Sequence, residues 1–183
     1  AWPQDGFTVG RRLAAAFSPD GADVVQVSGG AAKLHTLASP SNVLLIGPQT
    51  ANWFAISYSP DGRTLLLGGS DGLQLMPAAG GAPKVTYAGT LDSGVEAAAF
   101  SADGRYVLAG FSNGSAMLWA VDGGMPLAVF SGQAGAINAV AFAPDGRNVA
   151  LAADDGTTRV WAIPHILFET AAEQVRDACA ALT

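Results

Sequence analysis

Apolar residues in this chain come in short runs, and each run is stopped by glycine, proline, aspartate or asparagine. The runs predict strands at Leu13–Phe17, Asp23–Ser28, Ala31–Leu37 and Asn42–Ile46. A second group follows at Trp53–Tyr58, Thr64–Leu67, Leu73–Met76 and Lys84–Tyr87. A third lies at Val95–Phe100, Tyr106–Ala109, Ala116–Ala120 and Leu127–Phe130. The fourth group, Ile137–Phe142, Asn148–Ala152 and Thr158–Ile163, has no fourth strand. After Pro164 the period changes. Phe168, Ala171, Ala172, Val175, Ala178, Cys179 and Leu182 recur at three- and four-residue steps between charged positions, which predicts an amphipathic helix over 164–183.

One phrase punctuates the strands. It reads Phe17-Ser18-Pro19-Asp20-Gly21, Tyr58-Ser59-Pro60-Asp61-Gly62, Phe100-Ser101-Ala102-Asp103-Gly104 and Phe142-Ala143-Pro144-Asp145-Gly146. The leading aromatics lie 41, 42 and 42 positions apart, so one supersecondary unit is copied along the chain. Proline presets the first corner, aspartate bonds its own backbone, and glycine accepts positive φ. A second turn falls between the middle strands of each later unit, at Asp71-Gly72, Asn113-Gly114 and Asp155-Gly156, and is a hairpin signal.

Composition narrows the class. Half of the 183 residues are apolar and 13% are charged, which argues against disorder over most of the length. A net charge of −6 with 9 basic residues leaves no clustered cations for nucleic acid or an anionic membrane. The single cysteine, Cys179, cannot form an internal disulfide, which fits a reducing, cytoplasmic setting. No apolar run approaches the ~18 residues a membrane helix needs. The first residue is not methionine and no leader pattern follows it, so the expectation is a processed chain or a stretch of a longer one.

The run Ala139–Gly146 followed by Asp155-Gly156-Thr157-Thr158-Arg159-Val160-Trp161 resembles a WD40 repeat, and Asn113 through Trp119 matches the same pattern. The resemblance covers roughly residues 10–163. It is weaker in the first two units, where His35 and Met76 stand in place of tryptophan. It implies an all-β propeller of about four blades, near 10–47, 51–89, 93–131 and 135–163. A 1–163 repeat region would then precede the 164–183 helix. It marks Asp71, Asn113, Trp119, Asp155 and Trp161 as structural repeat residues.

The family's hydrogen-bond network of aspartate, histidine, serine or threonine, and tryptophan is incomplete. Leu151 and Ala109 occupy serine positions, Gln133 lies near the histidine position, and Asn113 replaces aspartate. Apolar packing is therefore expected to carry more of the stability. Four units are also fewer than the family's usual seven. A small closed ring, a ring shared by two chains, or part of a longer propeller would each cover the exposed sheets. The last is the preferred expectation.

Candidate chemistry is sparse. Gly110-Phe111-Ser112-Asn113-Gly114 and Gly68-Gly69-Ser70-Asp71-Gly72 both match the serine-hydrolase elbow pattern, but each is followed by a strand rather than a helix. His35 and His165 have no partners at metal or triad spacing. Cys179 lies on the apolar stripe of the predicted helix. Asn113-Gly114-Ser115 is a glycosylation sequon that the hairpin already explains. Trp53, Phe54, Tyr87, Phe111 and Phe130 are expected mainly between sheets. No phosphate loop, catalytic residue, cofactor site or metal site is expected. The expected function is a non-catalytic scaffold that presents blade loops to a protein or peptide. A homodimer or the rest of a longer propeller would complete the structure. The alternative is the C-terminal sensory or targeting region of a bacterial protein kinase or caspase-like peptidase.

Overall fold

The computed structural model describes residues 14–28, 31–47, 52–89 and 93–164. Sheet 1 is formed by β1 (Ala14–Phe17), β2 (Asp23–Ser28), β3 (Ala31–Thr36) and β4 (Ser39–Ile46), and sheet 2 by β5 (Trp53–Tyr58), β6 (Thr64–Gly69), β7 (Gly72–Pro77) and β8 (Val85–Thr86). Sheet 3 holds β9 (Val95–Phe100), β10 (Tyr106–Phe111), β11 (Ala116–Ala120) and β12 (Ala128–Phe130). Sheet 4 holds only β13 (Ile137–Phe142), β14 (Asn148–Ala153) and β15 (Thr158–Ala162). Every sheet is an antiparallel meander in chain order. No helix occurs among the described residues, and the predicted 164–183 helix lies outside them apart from Pro164.

The strand boundaries follow the sequence pattern with small differences. The loop before β4 is shorter than expected, because Thr36 pairs with Ser39 before the ladder shifts to His35–Val43. β8 is only two residues long, although Lys84 and Tyr87 also donate their amides to Leu75 and Leu73.

The repeated phrase builds the same turn each time. Gly21, Gly62, Gly104 and Gly146 all have φ near +70°, and each amide donates to the carbonyl three residues back. Serine does more than the proline–aspartate–glycine pattern implies. The Ser18, Ser59 and Ser101 hydroxyls each donate to the aspartate two residues on, at 2.6 Å. Each also accepts the amide that opens the next strand, from Asp23, Thr64 and Tyr106. All three serines are buried, so these bonds satisfy groups that would otherwise be left dry. Ala143 has no hydroxyl, so of the side-chain bonds the fourth turn keeps only the one in which Asp145 accepts the Arg147 amide.

Three apolar clusters join the sheets in succession. Val25, Val27, Leu34 and Ile46 of sheet 1 pack on Trp53, Tyr58, Leu67 and Met76 of sheet 2. Leu66, Leu73, Leu75 and Tyr87 on the other side of sheet 2 pack on Val95, Val107, Phe111 and Trp119 of sheet 3. Tyr106, Leu108, Leu118 and Phe130 pack on Ile137, Val149, Leu151 and Trp161 of sheet 4. No such cluster joins sheet 4 to sheet 1 among the described residues. Among the described residues, the four sheets thus share three such clusters.

Glycine sets the closeness of two of these contacts. A Cβ on Gly68 would lie 2.4 Å from Val95 Cγ1, and one on Gly110 would lie 2.4 Å from Ile137 Cγ2. The same approach is used at two successive interfaces, 42 positions apart in both partners.

Candidate functional site

The innermost strand of each sheet is the first in its group: β1, β5, β9 and β13. β1 packs against β5, β5 against β9, and β9 against β13. Together they line an open trough of about 590 Å³. Its wall consists mostly of small or apolar residues, among them Ala14, Ala55, Ile56, Ala97, Ala98 and Val140. The groups able to discriminate a ligand there are Phe54, Glu96, Asn138 and Asp154.

Phe54, Glu96 and Asn138 are successive copies of one repeat position, 42 residues apart, and so they stand side by side at the same level of neighbouring strands. Gly94 lies among them: a Cβ there would meet Glu96 Oε1 at 3.8 Å, Phe54 Cε2 at 3.9 Å and Ser112 Oγ at 4.0 Å. The Ser112 amide donates to the Gly94 carbonyl at 2.9 Å, and the Asp154 amide donates to the Ala136 carbonyl at 2.9 Å. These bonds fix two hairpin turns at the rim. Asn138 Nδ2 donates to the Asp154 carboxylate, which holds both side chains in place. One aromatic ring and two carboxylates can grip an extended segment with cationic or amide groups. They include no nucleophile–base pair.

The predicted repeat residues occupy hairpins and interfaces rather than the trough. Asp71 lies in the β6–β7 turn, where it accepts from Ser70 Oγ at 2.9 Å. Asn113 Oδ1 accepts the Ser115 amide at 3.0 Å and its hydroxyl at 2.6 Å. Asp155 Oδ1 accepts the Thr157 amide and hydroxyl at 2.8 and 2.6 Å, while Oδ2 takes the Ala134 amide at 2.9 Å. The Thr157 hydroxyl, then the Ala134 and Thr157 amides, hold the Asp155 carboxyl below its ordinary value. Asp155 thereby ties the β14–β15 hairpin to the segment that leads into β13.

Trp119 is fully buried, 5.7 Å from Tyr87 and 6.3 Å from Phe111 between ring centroids. Trp161 lies against Phe130 in a tilted arrangement, 5.9 Å between ring centroids. The indole nitrogens of Trp53, Trp119 and Trp161 have no hydrogen-bond partner. Gln133 fills part of the gap in the polar network, donating from Nε2 to the Leu151 carbonyl at 3.1 Å, with its Oε1 unpaired. His35, Met76, Trp119 and Trp161 pair with Val24, Leu65, Val107 and Val149, so they share one register position, as the sequence pattern implies.

The remaining candidates are placed as follows. Both glycine–serine–glycine matches lie where one strand turns back into the next, β6–β7 and β10–β11, with no helix after them. His35 is buried in β3. Trp53, Tyr87, Phe111 and Phe130 pack between sheets, and Phe54 lines the trough. Cys179 and His165 lie outside the described residues. No group of three or more potential metal ligands and no helix long and apolar enough to cross a membrane occurs among the described residues. Sequence reasoning missed Glu96, Asn138 and Asp154. Aligning the units at their turn phrases brings Phe54, Glu96 and Asn138 to one position, and that was the available signal.

Residues 81–120 and 124–162 match the family model described as WD domain, G-beta repeat. Residues 81–162 carry WD40 repeats. Each matched WD40 segment begins with the outer strand of one sheet and ends on the third strand of the next, so the repeat is staggered against the sheet. Sheets 1 and 2 lie mostly outside the matched span yet share its strand order and turns, so the four antiparallel sheets are consistent with about four WD40 blades. WD40 domains are generally non-catalytic protein-interaction scaffolds. No curated protein matches the chain.

Proposed function

We propose that this protein is a non-catalytic interaction module that holds an extended protein segment against the trough and the hairpin turns at its rim. One observation carries the reading: three copies of a single repeat position, Phe54, Glu96 and Asn138, have diverged to an aromatic, an acid and an amide on a rigid apolar wall. The flanking positions stay small and apolar, as scaffolding requires, while these three differ as recognition requires. Two carboxylates, and no basic side chain among the described lining residues, favour a segment that carries lysine or arginine. Binding would leave the sheets unmoved, because the wall consists of strands clamped by apolar clusters on at least one side.

The test is affinity capture followed by cross-linking mass spectrometry, with the intact chain and a Phe54→Ala/Glu96→Lys variant. The expected result is a protein partner cross-linked beside β5 and β9 and lost with the double variant. Failure of the intact chain to recover any partner, or undiminished capture by the variant, would overturn the reading.

A further inference from the structure

The β10–β11 hairpin turns on Ser112-Asn113-Gly114-Ser115, and its glycine is imposed by the fold. Gly114 has φ +82°, and a Cβ there would lie 2.5 Å from the Gln133 carbonyl oxygen and 3.0 Å from that of Gly135. The packing of this turn on the segment that leads into β13 thus sets an asparagine directly before a residue with no side chain. The remaining asparagines precede valine, tryptophan or alanine. Glycine is the successor that least obstructs attack of its backbone nitrogen on the asparagine side-chain amide. Asn113 is exposed to water. Its Oδ1 accepts the Ser115 amide at 3.0 Å and the Ser115 hydroxyl at 2.6 Å. Both donors stand where negative charge gathers when a nucleophile adds to Cγ. The Gly114 amide donates to the Phe111 carbonyl at 3.2 Å, against 2.9 Å for the glycine of each turn phrase, so this N–H is held more weakly.

We propose that Asn113 is a site of spontaneous deamidation and that the hairpin is already shaped to hold the aspartate that results. The Gly114 nitrogen loses its proton and adds to Cγ of Asn113. The adduct expels Nδ2, which takes up a proton and leaves as ammonia, and a succinimide remains. Water then opens the ring. Attack at Cγ breaks the new C–N bond and leaves an aspartyl residue in the original backbone. Attack at the backbone carbonyl breaks the original peptide bond and leaves an isoaspartyl residue, with an extra methylene in the chain. Two features favour the first outcome. The Ser115 donors polarise the carbonyl at Cγ, and a longer backbone does not fit a turn whose Gly114 is packed on the Gln133 and Gly135 carbonyls. The product also has precedent within the chain. Asp71 and Asp155 hold the same repeat position, 42 residues to either side. Asp155 accepts the Thr157 amide and hydroxyl at 2.8 and 2.6 Å, the same pair of bonds that Asn113 takes from Ser115.

The test is peptide mapping by mass spectrometry of the intact chain, sampled over weeks in mildly alkaline buffer at physiological temperature. Electron-transfer fragmentation separates aspartyl from isoaspartyl products. Deamidation is expected at Asn113 well ahead of every other asparagine, with aspartyl in excess. The same chain unfolded in urea should give mostly isoaspartyl. Ser115→Ala removes the hydroxyl donor and should slow the reaction several-fold. Ser115→Thr, which copies the Asp155 hairpin, should keep the rate and shows whether the hydroxyl or the fold of the turn is at issue. Asn113→Asp should retain the far-UV spectrum and the thermal midpoint. An intact Asn113, an isoaspartyl excess in the folded chain, an undiminished rate in Ser115→Ala, or a lowered midpoint in Asn113→Asp would each overturn the proposal. The reaction needs no partner, so the capture experiment above succeeds or fails independently.

Discussion

Sheets 3 and 4 come from adjacent copies of one sequence unit, yet they are held in different ways. In sheet 3 every residue of β10 is buried, because sheet 2 covers one face and sheet 4 the other. In sheet 4 the equivalent strand, β14, alternates between buried and half-buried, and most of β15 is exposed. Side-chain choice follows the difference. Sheet 3 places Leu108 and Leu118 on its forward face, whereas sheet 4 has Ala150 and Val160 in the same register. A blade's strand pattern is thus set by its own sequence, and its apolar content by the number of neighbours it meets.

That contrast can be broken most sharply at the tryptophan position. Trp119→Ala removes a fully buried indole wedged between Tyr87 and Phe111, with an expected cost of about 3–5 kcal/mol in urea unfolding. Trp161→Ala should cost clearly less, since that ring is only half-buried and has Phe130 as its aromatic neighbour. Equal losses would mean that the two sheets are equally enclosed.

The next test uses the glycine of close approach. Gly110→Val would force a side chain into Ile137 and should destabilise by about 1–3 kcal/mol. Ala152→Val, at the same repeat position in sheet 4, where no described sheet packs on it, should stay within about 0.5 kcal/mol. A smaller effect is expected at Gln133. Gln133→Leu gives up the bond to the Leu151 carbonyl and should cost about 1 kcal/mol by the same measurement.

The mildest test is acidification. The Ser18 hydroxyl, with the Ala22 amide, holds the Asp20 carboxyl below its ordinary value, and Ser59 with the Arg63 amide does the same for Asp61. At Asp103 burial pushes the carboxyl up, but the Ser101 hydroxyl and the Arg105 amide together outweigh it. A carboxyl lowered in the folded state adds stability that is full above its unfolded pKa, near 3.8, and lost as pH falls through the folded value. Replacing all three serines with alanine should therefore flatten the fall in stability below that pH. Ala143→Ser should steepen it by giving the fourth turn the hydroxyl that the others have. An unchanged pH profile in both variants would remove the serine–aspartate bond from the stability of these turns.

Much of the fold was legible because the turn phrase is local. Proline, aspartate and glycine act within five residues, so they mark a corner whatever surrounds it. The shared register of His35, Met76, Trp119 and Trp161 was legible for the same reason. The serine of the phrase was not, since its role depends on a strand amide that only burial makes important. The trough was hidden for a different reason. Phe54, Glu96 and Asn138 share no chemistry, so their common repeat position, visible on aligning the turn phrases, carries no functional signal until the structure sets them in one trough. The exposure of Phe17 was also out of reach: it reads as a core residue in sequence, yet among the described residues no preceding sheet covers it.

The stagger between repeat and sheet has a consequence for how such chains can change length. A matched segment donates its first strand backwards and keeps the other three, so each boundary between blades is crossed by covalent chain as well as by packing. Copying or deleting one full period leaves every remaining blade with the strands it had and merely changes the tally of blades. A partial step that began or ended between the third and fourth strands of a sheet, without restoring the period, would instead leave one blade a strand short. Gene duplication is thereby steered toward whole-period steps, and the chain can lengthen without any surviving blade having to be relearned.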